Sequence, residues 1–202
     1  MTDTNTISQH EFTVGAARLK LGVVGWLNDS FGFLKCQKLV DAIREHCILT
    51  GGVTASVFHG ENINDYDLYA RTKTGHDIVL DSIQRYHPGN IEVALNYATI
   101  QTEDGKLVSA NAITLHNQMQ FITMGTFHEC RASFDFKHCL PYYDIRDEKF
   151  YISPDQYQLI KKKELYPITG KLARLPKFEE RGWKLTDANL VHFTNSLLNT
   201  KR

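Results

Sequence analysis

The chain has 202 residues, of which 42% are hydrophobic and 23% are charged, and its formal net charge is zero. These values are close to the globular average and exclude a disordered chain, a collagen-like fibre and a coiled coil. No apolar run approaches the ~18 residues that a membrane span needs, and the first twenty residues lack the pattern of a secretory signal. We therefore expect a cytoplasmic protein with no membrane partner. The four cysteines have no CxxC spacing, so we expect free thiols rather than a zinc site.

Hydrophobic periodicity divides the chain into helices and strands. Residues 1–15 are polar, and we expect them to be loosely ordered. Apolar side chains recur at helical spacing in three segments of the first half: 39–49, 53–60 and 77–86. The predicted strands are segments with alternating or β-rich sequence: 64–70, 91–101, 106–117, 119–127 and 148–153. The segment 134–144 has no clear pattern. This order predicts an α/β or α+β fold, with a mixed sheet of about five strands flanked by helices.

The C-terminal quarter differs from the rest of the chain in charge. Residues 161–202 carry ten basic and four acidic side chains, whereas residues 1–160 carry 13 and 19. Ser153-Pro154 predicts a helix start, and Thr186-Asp187 predicts a second one. We therefore divide the chain into a domain over 1–152 and a basic helical appendage over 153–202. A basic appendage indicates a polyanionic partner, or else a solvated helix that packs against its own acidic domain.

One segment has a spacing that indicates phosphate chemistry. Gly51-Gly52 precedes a short predicted helix, and a predicted strand carrying Asp65 and Asp67 follows. Glycines allow backbone amides to approach a triphosphate, and the start of a helix adds positive potential. Two carboxylates on one strand face can share divalent cations, which stabilise the oxygens of a nucleotidyl transfer. The alternative is structural: a helix cap and turn, followed by an edge strand with solvated aspartates.

At these residues the chain resembles the nucleotidyltransferase superfamily, in particular the head domain of bacterial-type poly(A) polymerases and tRNA CCA-adding enzymes. Their motif is Gly-Gly, a short helix ending in Gly, then Asp-x-Asp, and Gly51-Gly52, Gly60 and Asp65–Asp67 follow it. MQFIT at 119–123 resembles the strand that carries a further carboxylate. The segment 133–144 resembles a later family motif, so the likeness covers roughly residues 45–150.

The chain also resembles small stand-alone phage-encoded proteins of this fold. The shared segments are Asp65–Asp67, Asn111–Thr114, Phe134–Cys139 and Lys177–Trp183. This likeness spans nearly the whole chain. It implies a phage-encoded protein that acts in the host cytoplasm.

The resemblance implies a metal-dependent nucleotidyltransferase that uses an NTP and Mg²⁺ or Mn²⁺. Asp65 and Asp67 would be the catalytic metal ligands, and the hydroxyl of an acceptor would attack the α-phosphate. Expected nucleotide-binding residues are Gly51, Gly52, Thr54, Ser56, Gln120, Asp135 and His138. A structural histidine is the alternative for His138.

Two departures from the family pattern bear on catalysis. The Arg-Asp pair that follows the glycines in the family is Ala55-Ser56 here, so a phosphate-binding arginine is missing. Gln120 stands where the family has its further carboxylate, and Asp135 or Glu92 is a candidate substitute. The chain also ends about 60 residues after the 133–144 segment. We therefore do not expect CCA addition.

These departures keep open a second function, that of an inactive protein of this fold. It would bind single-stranded DNA or RNA and serve viral transcription or replication, with a viral polymerase as a possible partner. The expected nucleic-acid contacts are the cations of the appendage: Lys161, Lys162, Lys163, Lys171, Arg174, Lys177, Arg181 and Lys184.

Overall fold

The computed structural model describes residues 7–63, 66–86, 100–101, 107–108, 111–115, 119–169, 172 and 174–199. Its α-helices are α1 (Gln9–Phe33), α2 (Gln37–His46), α3 (Val53–His59), α4 (Lys73–Tyr86), α5 (Phe127–Arg131), α6 (Pro154–Lys162), α7 (Leu175–Glu179) and α8 (Asp187–Asn199). Its strands are β1 (Cys47–Thr50), β2 (Tyr66–Ala70), β3 (Ile100–Gln101), β4 (Leu107–Val108), β5 (Ala112–Thr114), β6 (Met119–Thr126), β7 (Tyr142–Asp144), β8 (Lys149–Tyr151), β9 (Glu164–Leu165) and β10 (Lys184–Leu185). None of the helices in these ranges has the length and apolarity that crossing a bilayer requires.

Six strands form one mixed sheet in the order β5-β6-β2-β1-β7-β8. Strands β2 and β6 are parallel, and the other neighbours are antiparallel. Two small pairs lie outside this sheet: β3 with β4, and β9 with β10. The predicted mixed sheet flanked by helices is confirmed, with six strands in place of about five.

The additional central strand is β1, which the sequence pattern assigned to a helix. We predicted one helix over 39–49, but α2 ends at His46 and Cys47–Thr50 pairs with both β2 and β7. All four residues of β1 are buried. A short apolar run buried on both faces has no alternation, so its periodicity cannot distinguish a strand from a buried helical turn.

The N-terminal helix is the second correction. Residues 9–15 belong to α1, a helix of 25 residues, and are not loosely ordered. The Ser8 side chain accepts a hydrogen bond from the Glu11 backbone N–H at 3.1 Å and caps this helix. Four glycines inside α1 obscured the pattern because each lowers helix propensity by about 1 kcal/mol. Packing offsets this cost, since Leu19, Val23 and Leu27 are buried.

The two faces of the central strands differ in what covers them. Leu49, Leu68 and Phe121 point to the main apolar core, which α1, α2 and α4 complete. The alternate residues of the same strands point to the opposite face, which the short helix α5 and the segment before β7 cover in part. Ile48, Tyr69, Ile122 and Phe127 form a small core there. The polar residues of the candidate site lie on this second face.

The C-terminal region packs against the domain through a core of its own. Phe136, Ile160, Leu165, Phe178 and Trp183 are buried in it together with Ala55 from α3. The two predicted helix starts are confirmed. Ser153 and Gln156 form a capping box at the start of α6, and Thr186 caps α8 through the Asn189 N–H at 3.2 Å. The division at residue 153 stays a prediction.

Candidate functional site

The candidate site is centred on three polar side chains in one row across the sheet. Asp67 of β2 lies opposite Thr50 of β1 on one side and opposite Gln120 of β6 on the other. Paired residues of neighbouring strands share a sheet face, so the three side chains lie on the same side of the sheet. Thr50 is buried there, and its hydroxyl lies 2.9 Å from the Pro141 carbonyl, to which it donates. Tyr66 and Leu68 are buried on the other face, which agrees with the alternation predicted for this strand. Asp65 lies outside the described residues.

Of the two adjacent glycines, Gly51 occupies the position at which the backbone geometry requires a glycine. Its φ is +88°, which L side chains rarely adopt, and a Cβ at this position would lie 2.6 Å from Oδ2 of Asp67. The glycine therefore leaves room for the carboxylate beside the loop. The Gly51 N–H donates to the Cys139 carbonyl at 3.3 Å. Gly52, in contrast, has φ −71° and space for a side chain.

A small cavity of about 160 Å³ opens beside this loop. Its polar lining includes both glycines, Asp67, Asp135 and Arg174, and its apolar lining includes Tyr69, Ile122 and Phe178. Sites that enclose a whole small molecule usually measure about 300–1,000 Å³. This cavity therefore fits a phosphate group or part of a nucleotide rather than a whole nucleotide.

Asp135 reaches the cavity from the segment between α5 and β7. Its backbone carbonyl accepts a hydrogen bond from Ile168 N–H at 2.8 Å, which ties the segment to the C-terminal region. Its carboxylate lies 3.4 Å from the guanidinium of Arg174, and its side chain is 12% exposed. Asp135 thus joins Gly51 and Gly52, two other members of the predicted nucleotide-binding set, and the predicted metal ligand Asp67 around one cavity.

Four other members of that set lie away from the cavity lining, and one of them, Gln120, stands beside Asp67 in the sheet register. Thr54 and Ser56 are buried in α3, and the Ser56 hydroxyl accepts a hydrogen bond from Arg181 at 2.9 Å. His138 has no exposed surface, and its ring stacks on Trp183 with centroids 4.0 Å apart. Burial, with the nearby charges of Arg181 and Arg174, lowers the pKa of His138 to about 3. His138 is therefore a neutral side chain of the C-terminal core.

The donor set is compatible with a hard cation. Mg²⁺ binds through one or two carboxylates, with phosphates and water completing its shell. Asp67 and Asp135 both line the cavity, and the Gln120 amide stands beside Asp67 in the sheet register. Gln120 supplies an oxygen but no charge. In the described part of the chain, no three His, Cys, Asp or Glu side chains are close enough to hold a metal ion by themselves. Phosphate oxygens would have to complete the site.

Several cations of the predicted nucleic-acid surface are paired within the chain. Lys161 pairs with Glu11 of α1, and Lys163 and Arg181 both pair with Glu61, the latter at 2.6 Å. Burial raises the pKa of Glu61, but hydrogen bonds from Lys163 and Arg181 outweigh it, so the pKa lies below its usual value. Lys162, Lys177 and Lys184 are exposed, and Lys171 lies outside the described residues.

Arg174 is the residue whose place the sequence pattern missed. It was predicted as a nucleic-acid contact, whereas its side chain lines the cavity and approaches the Phe178 ring at 5.8 Å. More than a hundred residues separate Arg174 from Gly51-Gly52, so no local motif connects them. The missing arginine after the glycines was the one indirect signal in the sequence, and it did not point to Arg174.

Comparison with known proteins gives one family and one structural similarity. The family model described as Gabija anti-defense 2 family protein matches residues 26–163. Among solved structures, the chain is similar to the Thermotoga maritima CCA-adding enzyme in complex with tRNA, with 11% identity and a TM-score of 0.41. The match covers 69% of this chain and 32% of the enzyme, so it carries no argument about activity. No curated protein matches the chain.

Proposed function

This chain belongs to the Gabija anti-defense 2 family, and we propose that it counteracts the Gabija defence through the cavity beside Asp67. In this proposal the protein is phage-encoded and acts as a metal-dependent nucleotidyltransferase. It transfers a nucleotide from an NTP to a hydroxyl acceptor that remains to be identified. The observation that carries the proposal is the close approach of the Gly51 backbone to the Asp67 carboxylate in the lining of the cavity.

The geometry of that contact supports a phosphate site. A backbone without a side chain keeps the Asp67 carboxylate accessible from the cavity, as a ligand for a cation bound to phosphates would require. Asp65 and Asp67 would hold Mg²⁺ or Mn²⁺, which supplies positive charge to the phosphate oxygens when bound. The acceptor hydroxyl would lose its proton to water and attack the α-phosphorus, the bond from that phosphorus to the α–β bridging oxygen would break, and pyrophosphate would leave. The cavity is too small to enclose the base of the nucleotide as well, so the base would lie outside it.

Label transfer tests this activity directly. The protein is incubated with each α-labelled NTP, Mg²⁺ or Mn²⁺, and total cellular RNA and protein. We expect label on one class of acceptor with wild type and none with Asp67→Asn, which removes the charge and keeps the volume. Equal transfer by the variant would place the chemistry elsewhere in the molecule.

Gln120 favours a second candidate function, a binding protein of this fold without catalysis. An amide in place of a carboxylate next to Asp67 lowers the negative charge available to a metal. Such a protein would hold a nucleotide or a single strand of DNA or RNA. The ion pairs of Lys161, Lys163 and Arg181 reduce the number of cations that are available for nucleic acid.

Phage plating on Gabija-carrying cells separates the two candidates. Wild-type protein expressed in these cells should restore plaque formation under both. Asp67→Asn should fail to restore it if catalysis is required. Restoration by both proteins at equal expression would favour the binding function.

A further inference from the structure

We infer that Arg174 is the phosphate-binding cation of the cavity and that its ion pair with Asp135 is exchanged for an ion pair with the incoming phosphate chain. This inference rests on the proposed function, because it specifies how the same cavity accepts a nucleotide.

The need for a cation follows from the charges of the cavity. Asp67 and Asp135 both line it, and two carboxylates repel a phosphate chain unless positive charge is present. Arg174 is the one cation among the lining residues in the described part of the chain. The positions that match the family's Arg-Asp pair, Ala55 and Ser56, are buried and uncharged. The charge therefore comes from the C-terminal region.

Arginine suits this position chemically. Its guanidinium is planar, stays charged, and forms paired hydrogen bonds with phosphate oxygens. The side chain of Arg174 is 58% exposed, so it can turn toward a ligand, whereas Asp135 is largely enclosed. The Phe178 ring, which also lines the cavity, supports the guanidinium at 5.8 Å. The side chain is thus held at the cavity without being fixed.

The present contact between Arg174 and Asp135 is weak enough to be exchanged. The two groups are 3.4 Å apart, at the long end of hydrogen-bond distances, and one partner is solvent-exposed. Exposed ion pairs contribute little free energy. A phosphate chain with several negative oxygens competes for the same guanidinium. Exchange would also release the Asp135 carboxylate into the cavity, where it could bind a cation.

The test measures binding of inorganic triphosphate and of ATP to the full chain by calorimetry, in EDTA. Wild type is compared with Arg174→Ala and Asp135→Asn. The control is Arg85→Ala, which removes an exposed arginine paired with Asp81 on α4, across the sheet. Arg174→Ala should weaken binding of both probes about ten- to a hundredfold, the range of a hydrogen bond to a charged group. Asp135→Asn should strengthen binding several-fold, because the competing carboxylate is gone. Arg85→Ala should bind as wild type.

The two variants should change the affinity for the probes in opposite directions if the ion pair is exchanged. If the ion pair is purely structural, removing either Arg174 or Asp135 should have the same effect on affinity. If wild type binds the probes and Arg174→Ala binds them with the same affinity, this inference is overturned. The proposed function is not affected by that result. Weakened binding in both ion-pair variants also overturns the exchange. A 5′-phosphorylated oligonucleotide serves as a third probe, and a loss confined to it would identify Arg174 as a nucleic-acid contact and overturn the inference. No binding of either phosphate probe by wild type in EDTA would overturn this inference, whereas the proposed function is tested separately by label transfer in the presence of Mg²⁺ or Mn²⁺.

Discussion

The two faces of the central strands are built from alternate residues of the same segments, yet they have different roles. On one face, Leu49, Leu68 and Phe121 are almost fully buried beneath α1, α2 and α4. On the other, Thr50, Asp67 and Gln120 form a polar row beside the cavity. The apolar face forms the main core, whereas the second face combines a smaller core with the polar residues beside the cavity. Substitutions on the two faces should therefore separate stability from ligand binding.

The largest loss of stability is expected from Leu68→Ala on the apolar face. Leu68 has no exposed surface, and its truncation leaves a cavity in the main core. The free energy of unfolding should fall by about 2–5 kcal/mol, as measured by urea denaturation. The control is Met124→Ala on β6, where the side chain is 65% exposed and the change should stay within about 0.5 kcal/mol. Similar losses in both would contradict the assignment of the core.

A smaller loss is expected from Gly51→Ala at the cavity. The new Cβ meets the Asp67 carboxylate, and alanine is strained at φ +88°. The expected cost is about 1–3 kcal/mol. Gly52→Ala is the matched control, since its φ is ordinary and its surroundings are open. Combining Gly51→Ala with Asp67→Ala should recover part of the cost, because the steric partner is removed. Strict additivity would show that only backbone strain is involved.

The ion pairs of Glu61 predict a pH dependence at the boundary between the domain and the C-terminal region. The pKa of Glu61 is lowered in the folded state, so its contribution to stability is present above the unfolded pKa of about 4.5 and is lost as pH falls through the folded value. Thermal unfolding between pH 7 and pH 3 should therefore show a smaller pH-dependent loss in Glu61→Gln than in wild type. Asp81→Asn, on the exposed face of α4, is the control. Identical profiles would mean that the Glu61 ion pairs do not contribute.

The smallest change in stability is expected from Asp67→Asn, together with a clear loss of ligand response. The substitution keeps the volume of a half-buried side chain, so the unfolding free energy should change by less than the ~1 kcal/mol that is typical of point substitutions. In wild type, Mn²⁺ with an NTP should raise the melting temperature by mass action. The variant should show no such rise. If it responds as wild type does, the polar face is not the metal site.

The local elements of the site could be predicted from the sequence because their signals are local. The left-handed turn at Gly51, the short helix after it and the alternation of Tyr66, Asp67 and Leu68 are all set within a few residues. The same is true of the capped helix starts at Ser153 and Thr186. In each case the backbone conformation or the side-chain cap depends on neighbours in the chain.

The order of the amino acids was sufficient to predict the mixed α/β class and to single out Gly51-Gly52 and Asp67 as elements of the candidate site. The three-dimensional fold, and not the local pattern, made Cys47–Thr50 a central strand, because its backbone hydrogen bonds go to β2 and to the distant β7. It also decided which charges meet. Arg174 lies at the cavity, Lys163 and Arg181 converge on Glu61, and His138 stacks on Trp183, all through contacts between distant segments. Composition shows how many charges a chain has, but folding fixes their neighbours, and the neighbours determine whether a cation binds a ligand or its own protein.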